Sequence, residues 1–205
     1  MSRFIAPLTE ILSPSQQEVW RELSQVPNTF TLYGGTAIAL HLGHRQSVDF
    51  DFFTPITFDP DVLYTEIPFL ENGQILQKSA NTLTVLVTRR GGPVQVSFFG
   101  TPKLIRLRPP KKIAENNIHI ADLLDLAGTK AAVVQKRAEA KDYIDIDALI
   151  HQAGIGLPSL LAAGQALYGT TFNPEITLKS LCYFGDGNLH TIQDEIRARL
   201  IKAVQ

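Results

Sequence analysis

Asp49 and Asp51 stand at i and i+2 inside the apolar run SVDFDFF (47–53). The run predicts a strand, where residues two apart point to one face. Val48, Phe50 and Phe52 then fill the other face as core. Asp is depleted in strands, and two carboxylates this close disfavour each other's ionisation unless something neutralises them. A divalent cation does so, and hard oxygen ligands suit magnesium. The pair alone reads equally as two surface aspartates on a solvated edge strand.

Just upstream lies Gly34-Gly35-Thr36, between the strand candidate TFTLY (29–33) and the helical pattern AIALHLG, which ends at Gly43. Thr36 is expected to cap that helix. Gly-Gly permits close backbone approach, and helix N-terminal N–H groups make an anion site. A tight turn that merely needs positive φ explains the glycines as well. A phosphate cradle beside a metal-binding carboxylate pair is what nucleotide chemistry requires.

A second group lies in ADLLDLAGTKAAVVQKRAEAKDYIDIDALI (121–150). Lys130 sits among apolar residues of helical period; a lysine snorkelling from a helix edge is the other reading. Asp142 and Asp145, at i and i+3, share a helix face. Asp142 can be a base or an acceptor-positioning group with Asp145 in support, or an N-cap or a salt-bridge partner of Arg137 or Lys141. His44 and Arg45 precede the aspartate strand and can reach phosphate, or stand in a solvated turn.

The elements that must position these groups follow from periodicity and breakers. QQEVWRELSQV reads as a helix capped by Ser13 or Ser15, with Val19, Trp20, Leu23 and Val26 on its apolar side. DPDVLYTEIPFL is helical, with Asp59 or Asp61 near its start. Strands are expected at 74–80, 82–89 and 93–100, with Arg90-Gly91-Gly92 as a hairpin connection. TPKLIRLRPPKKI is extended and basic. Helical patterns follow in the 121–150 segment, PSLLAAGQALYG, PEITLKSLCYF and HTIQDEIRARLIKAV. The division expected is an αβ core over residues 1–115 and a helical half over 116–205, joined near RPPKKIAENN.

Here a resemblance enters. GGT followed, after a short helix, by DFD resembles the signature of the nucleotidyltransferase superfamily that includes DNA polymerase β. GGTAIALHLGHRQSVDFDFF is more closely similar to the AbiEii/AbiGii-type toxins of type IV toxin–antitoxin and abortive-infection systems. Downstream, Lys130, Val133 (where Ala is usual), Arg137, Lys141, Asp142 and Asp145 resemble that family's helical motif. LKSLCYFGDGN resembles its C-terminal stretch.

The resemblance implies an α+β fold: a nucleotidyltransferase-type mixed sheet with flanking helices, followed by a C-terminal helical bundle. It implies metal-dependent transfer of a nucleoside monophosphate from an NTP to an acceptor, with release of pyrophosphate. Asp49 and Asp51 would hold Mg2+ (or Mn2+). Gly34, Gly35 and Thr36 would bind the nucleotide, Gly35 and Thr36 through backbone N–H and hydroxyl. Lys130 would meet the triphosphate, and Asp142 would act as base or acceptor-positioning group, with Arg45, Arg137 and Asp145 in support. It also implies a tRNA acceptor and an antitoxin encoded nearby. One departure stands out. The wider superfamily carries a third carboxylate on a neighbouring strand, often the general base, but PVQVSFF offers Gln95 and Ser97. The base then comes from Asp142 or Asp145, or from a substrate oxygen, or the protein binds nucleotide without turnover.

Lys103, Arg106, Arg108, Lys111 and Lys112 would suit an RNA backbone, or form a solvated connector. The net charge of −1, from 19 basic and 20 acidic residues, leaves any nucleic acid to a local basic patch. The lone Cys182 provides no disulfide framework, is expected to be a small core residue, and fits a reducing compartment such as the cytoplasm. No apolar run reaches the roughly 18 residues of a membrane helix, and the N-terminus lacks the apolar core of a signal peptide. Two other functions compete with the enzyme: a catalytically impaired nucleotide- or antitoxin-binding module of the same fold, and nucleotidylation of an aminoglycoside. The basic connector argues against the last, whose cationic drug needs an acidic pocket.

Overall fold

The computed structural model of the chain describes residues 4–205. It divides into two compact units: residues 4–104 with 109–121, and residues 105–108 with 122–205. The expected division at 115 falls inside the first unit, because the chain returns to its sheet after the basic connector.

Among the described residues, the first unit is built on an eight-stranded mixed sheet. Its strands are β1 (Phe4–Ile5), β2 (Thr31–Tyr33), β3 (Asp49–Thr54), β4 (Gln74–Ser79), β5 (Thr82–Arg89), β6 (Gly92–Gly100), β7 (Lys111–Ile113) and β8 (His119–Ile120). They are ordered β1-β7-β8-β2-β3-β6-β5-β4. The expected strands at 47–53, 74–80, 82–89 and 93–100 are the four longest. The short β1, β7 and β8 carry too few residues for a period of two to show.

Three helices flank this sheet: α1 (Pro14–Glu22), α2 (Gly34–Leu42) and α3 (Pro60–Glu66). Ser13 and Gln16 close a capping box at the start of α1. The α1 segment buries Val19 and Trp20, with Leu23 and Val26 just beyond it, as its spacing predicts. Trp20 stacks on Phe50, and Phe52 stacks on Phe98 with centroids 5.5 Å apart. These aromatic pairs form the core on the face of β3 opposite the aspartates. Val48 is not part of it. It precedes β3 and is 66% exposed, because the chain has not yet joined the sheet at that residue.

The second unit is helical: α4 (Leu123–Val133), α5 (Ala140–His151), α6 (Leu157–Tyr168), α7 (Pro174–Leu181) and α8 (Asp194–Val204). The α4 helix is buried on most of its circumference. It can sit so deep because Gly128 has no side chain: a Cβ there would come 2.8 Å from the Ala163 backbone of α6. Thr177 of α7 donates to the Ala131 carbonyl at 2.9 Å, and Arg199 of α8 pairs with Asp147 of α5. Cys182 is exposed, contrary to the expected core position. It is the residue that ends α7, one place past the buried Leu181, so its side chain turns outward.

Among the described residues no helix is long and apolar enough to cross a membrane. The architecture is thus a mixed α+β unit followed by a helical one.

Candidate active site

Strand alternation makes the first cluster. Asp49, Asp51 and Phe53 of β3 share one face, half-buried, while Phe50 and Phe52 are fully buried on the other. Interstrand register then decides what stands beside each carboxylate. Asp51 lies opposite Tyr33 on β2 and Ser97 on β6, and Ser97 in turn lies opposite Thr84 on β5. Asp49 lies opposite Gln95. The neighbouring strand therefore brings a hydroxyl and an amide to the two aspartates. Ser97 Oγ accepts hydrogen bonds from Thr84 Oγ1 at 3.3 Å and Gln95 Nε2 at 3.4 Å.

The glycine turn closes over this row. Gly34 has φ +76°, in the region that favours glycine, and a Cβ on it would lie 2.7 Å from Asp51 Oδ2. The carboxylate and the start of α2 are thus in direct apposition. A Cβ on Gly35 would strike the Arg45 guanidinium, at 2.4 Å from Nη2. Arg45 thereby reaches the turn.

Thr36 does not cap α2, which begins two residues earlier with Tyr33 at its N-cap position. Its buried hydroxyl donates to the Asp49 carbonyl instead, pinning the first turn of α2 to β3. What this turn can offer an anion is backbone N–H, since first-turn donors of a helix have no intrahelical partner. No side chain of the N-cap residue occupies them.

Two carboxylates on one face are a hard donor set, and magnesium is commonly held by one or two carboxylates with water and phosphate completing its shell. Among the described residues no three His, Cys, Asp or Glu side chains gather as ligands. Asp49 and Asp51 could supply two oxygen ligands to a magnesium ion, the rest of whose shell would come from elsewhere.

The second cluster lies within the helical unit. Lys130 of α4 directs its ammonium at Asp142 Oδ1, 2.6 Å away, and Asp145 Oδ2, 2.7 Å away. Arg137, in the loop between α4 and α5, donates from Nε to Asp142 Oδ2 at 2.8 Å and from Nη2 to Oδ1 at 3.2 Å. Both aspartate side chains are 0% exposed, Lys130 is 6% exposed, and Arg137 is 46% exposed. Of the two helix positions left open by spacing, Asp142 takes the salt bridge; Glu139 is at the N-cap.

Burial alone would push the Asp142 carboxyl up, but the Arg137 guanidinium and the Lys130 ammonium outweigh it and hold it below the usual carboxylate range. A carboxylate so held is a weak proton acceptor near neutral pH, where an effective base has a pKa close to the working pH.

Periodicity alone did not reveal the row Tyr33–Asp51–Ser97–Thr84, because register is set across strands far apart in the chain. Asp125 is signalled in the sequence itself, as an aspartate inside the apolar stripe of DLLDLAG.

Comparison with known proteins matches the chain over residues 19–203 to the family described as nucleotidyl transferase AbiEii toxin, type IV toxin–antitoxin system. An uncharacterised protein of Aquifex aeolicus (strain VF5) is 33% identical over 169 residues, 82% of this chain and 79% of that one. Two solved structures share the fold at 17% identity. A crystal structure described as a candidate nucleotidyltransferase from H. pylori aligns with TM-score 0.58, covering 93% of this chain and 91% of that one. MenT4, a nucleotidyltransferase toxin from Mycobacterium tuberculosis H37Rv, aligns with TM-score 0.60, covering 92% of this chain and 80% of its own.

Proposed function

The chain belongs to the AbiEii nucleotidyltransferase toxin family of type IV toxin–antitoxin systems, and as its specific function we propose transfer of a nucleoside monophosphate from an NTP to tRNA, dependent on Mg2+ or Mn2+. The observation that carries this reading is the apposition of the Asp49/Asp51 face with the Gly34-Gly35 turn at the start of α2.

In this reading an acceptor hydroxyl oxygen attacks the α-phosphorus of the NTP. The bond to the β-phosphate oxygen breaks, and pyrophosphate leaves. Asp49 and Asp51 would hold the ion, which would offset negative charge on the phosphates. The backbone N–H groups that follow Gly34 receive phosphate oxygens, and Gly34 and Gly35 keep the approach clear of side chains. Arg45, beside Gly35, supplies a cation to the same turn.

Ser97 and Gln95 cannot act as carboxylate bases, and Asp142 and Asp145 are engaged by Lys130 and Arg137. In this reading the acceptor proton passes to water or to a phosphate oxygen of the substrate. Lys130, Arg137, Asp142 and Asp145 act as one charge-balanced unit that fixes the α4–α5 junction and presents Arg137 at the surface. The protein works as a toxin whose antitoxin is encoded nearby.

The test is incubation of purified protein with magnesium, each α-labelled NTP in turn and total tRNA, beside the Asp49→Ala/Asp51→Ala variant. Label on tRNA with wild type alone is the expected result. Wild-type-like label in the variant rejects the metal assignment. A second reading, a binding module without turnover, is favoured by Ser97 standing opposite Asp51. Magnesium-dependent NTP binding with no pyrophosphate release would select it.

A further inference from the structure

One buried carboxylate that the reaction does not use is Asp125. It sits in the first turn of α4 and is 1% exposed. Its two oxygens accept successive backbone N–H groups of the basic connector: Oδ1 from Leu107 at 2.9 Å and Oδ2 from Arg108 at 3.0 Å. These four connector residues, 105–108, belong to the helical unit, while the chain on either side belongs to the sheet unit.

A solvated connector needs no such clamp. Burial pushes the Asp125 carboxyl up, and the Leu107 and Arg108 amides, with the nearby Arg106 charge, only partly offset that cost. What the clamp does is fix two consecutive peptide planes. The directions in which Arg106 and Arg108 leave the backbone are thereby set. Pro109 and Pro110 follow at once; they lock their own φ and restrict Arg108 before them. The segment from 106 to 110 is thus stiff although it has no regular secondary structure. Arg108 is exposed and Arg106 half-exposed.

We propose that Asp125 is a positioning residue, which clamps the Leu107–Arg108 backbone so that Arg106 and Arg108 are held ready for the phosphate backbone of an RNA acceptor. This rests on the RNA-acceptor reading above. A preorganised cationic segment loses less conformational freedom on binding than a floppy one, so the clamp acts on acceptor affinity and not on nucleotide handling.

The experiment compares wild type, Asp125→Asn and Arg106→Gln/Arg108→Gln, with total tRNA as the probe. The readouts are tRNA binding, transfer kinetics and amide hydrogen exchange at Leu107 and Arg108. In Asp125→Asn the side chain keeps its shape but turns a donor toward one of the two amides. Its amides are expected to exchange faster, and the KM for tRNA to rise about tenfold, the size of one or two lost phosphate contacts. The kcat and the KM for NTP should stay within about twofold, since uniform binding of the acceptor alone is affected. The double arginine variant should weaken tRNA binding and flatten its salt dependence by about two contacts.

Faster exchange in Asp125→Asn with unchanged tRNA affinity overturns the proposal. Unchanged tRNA affinity in the arginine variant overturns it too, but leaves the RNA-acceptor reading standing. Wild type that neither binds nor labels tRNA rejects that reading itself, and the proposal with it. Should Asp125→Asn fail to fold, Leu107→Pro removes one donor, leaves the carboxylate in place and is judged by exchange at Arg108, tRNA binding and transfer kinetics.

Discussion

The two pairs of aspartates have nearly the same sequence spacing and opposite surroundings. Asp49 and Asp51, at i and i+2 on β3, stay half-buried beside a glycine turn. Asp142 and Asp145, at i and i+3 on α5, are sealed from solvent and held by Lys130 and Arg137 at 2.6 to 2.8 Å. The difference teaches that acidic spacing does not by itself distinguish a half-buried pair from a sealed, ion-paired one. A strand can leave alternate residues half-buried while its other face packs. A helix wrapped by its neighbours must supply its own countercharge, because an unpaired buried carboxylate costs several kcal/mol.

The contrast breaks most visibly under alanine substitution. Asp142→Ala removes the buried carboxylate that Lys130 and Arg137 share and leaves Lys130 with Asp145 alone. It should cost about 3–5 kcal/mol of unfolding free energy by denaturant titration. Asp51→Ala should cost less than about 1 kcal/mol, as substitutions away from the core do, while transfer falls by about three orders of magnitude, the loss of several kcal/mol of charge stabilisation. Equal stability losses at the two sites would erase the distinction.

A smaller effect sharpens the first site. Gly34→Ala puts a Cβ 2.7 Å from Asp51 Oδ2 at a φ of +76°. Left-handed strain and the displaced carboxylate together predict about 1–3 kcal/mol of destabilisation. Nucleotide binding by calorimetry should weaken alongside it. An alanine variant that binds NTP normally would show that the apposition is incidental.

The smallest effect separates two carboxylates inside the helical unit. The Asp142 carboxyl is held low in the folded state, so its contribution to stability is complete above the ordinary carboxylate range. That contribution is lost as pH falls through the lower, folded value. The Asp125 carboxyl is pushed up, so the unfolded chain ionises first as pH rises. Its charge then subtracts stability from the ordinary range upward through the folded value. Unfolding free energies across acid pH, for Asp142→Asn and Asp125→Asn against wild type, should differ from wild type with opposite slopes. Slopes of one sign would contradict the assigned surroundings.

Much of this site is legible from the chain alone, and for a local reason. Side-chain direction along a strand alternates by covalent geometry, so Asp49 and Asp51 had to share a face once the Phe50/Phe52 face was core. The glycine turn, the end of α2 at Gly43 and the cap of α1 at Ser13 follow from rules spanning a few residues. Three features depended on partners distant in sequence. Thr36 has the side chain of a cap, but the approach of β3 turned its hydroxyl to the Asp49 carbonyl. Val48 matches the apolar period, yet sheet pairing begins one residue later and leaves it outside. Whether Lys130 snorkels or is buried turned on α5 laying Asp142 and Asp145 against it.

The amino-acid sequence determined which residues face together and where the glycine turn lies, because periodicity and backbone freedom belong to the local chain. Only the tertiary structure decided that Ser97 stands opposite Asp51, that Lys130 is bound by two carboxylates and that Asp125 grips the connector. Those are outcomes of register and packing between different elements, from 12 residues apart upward.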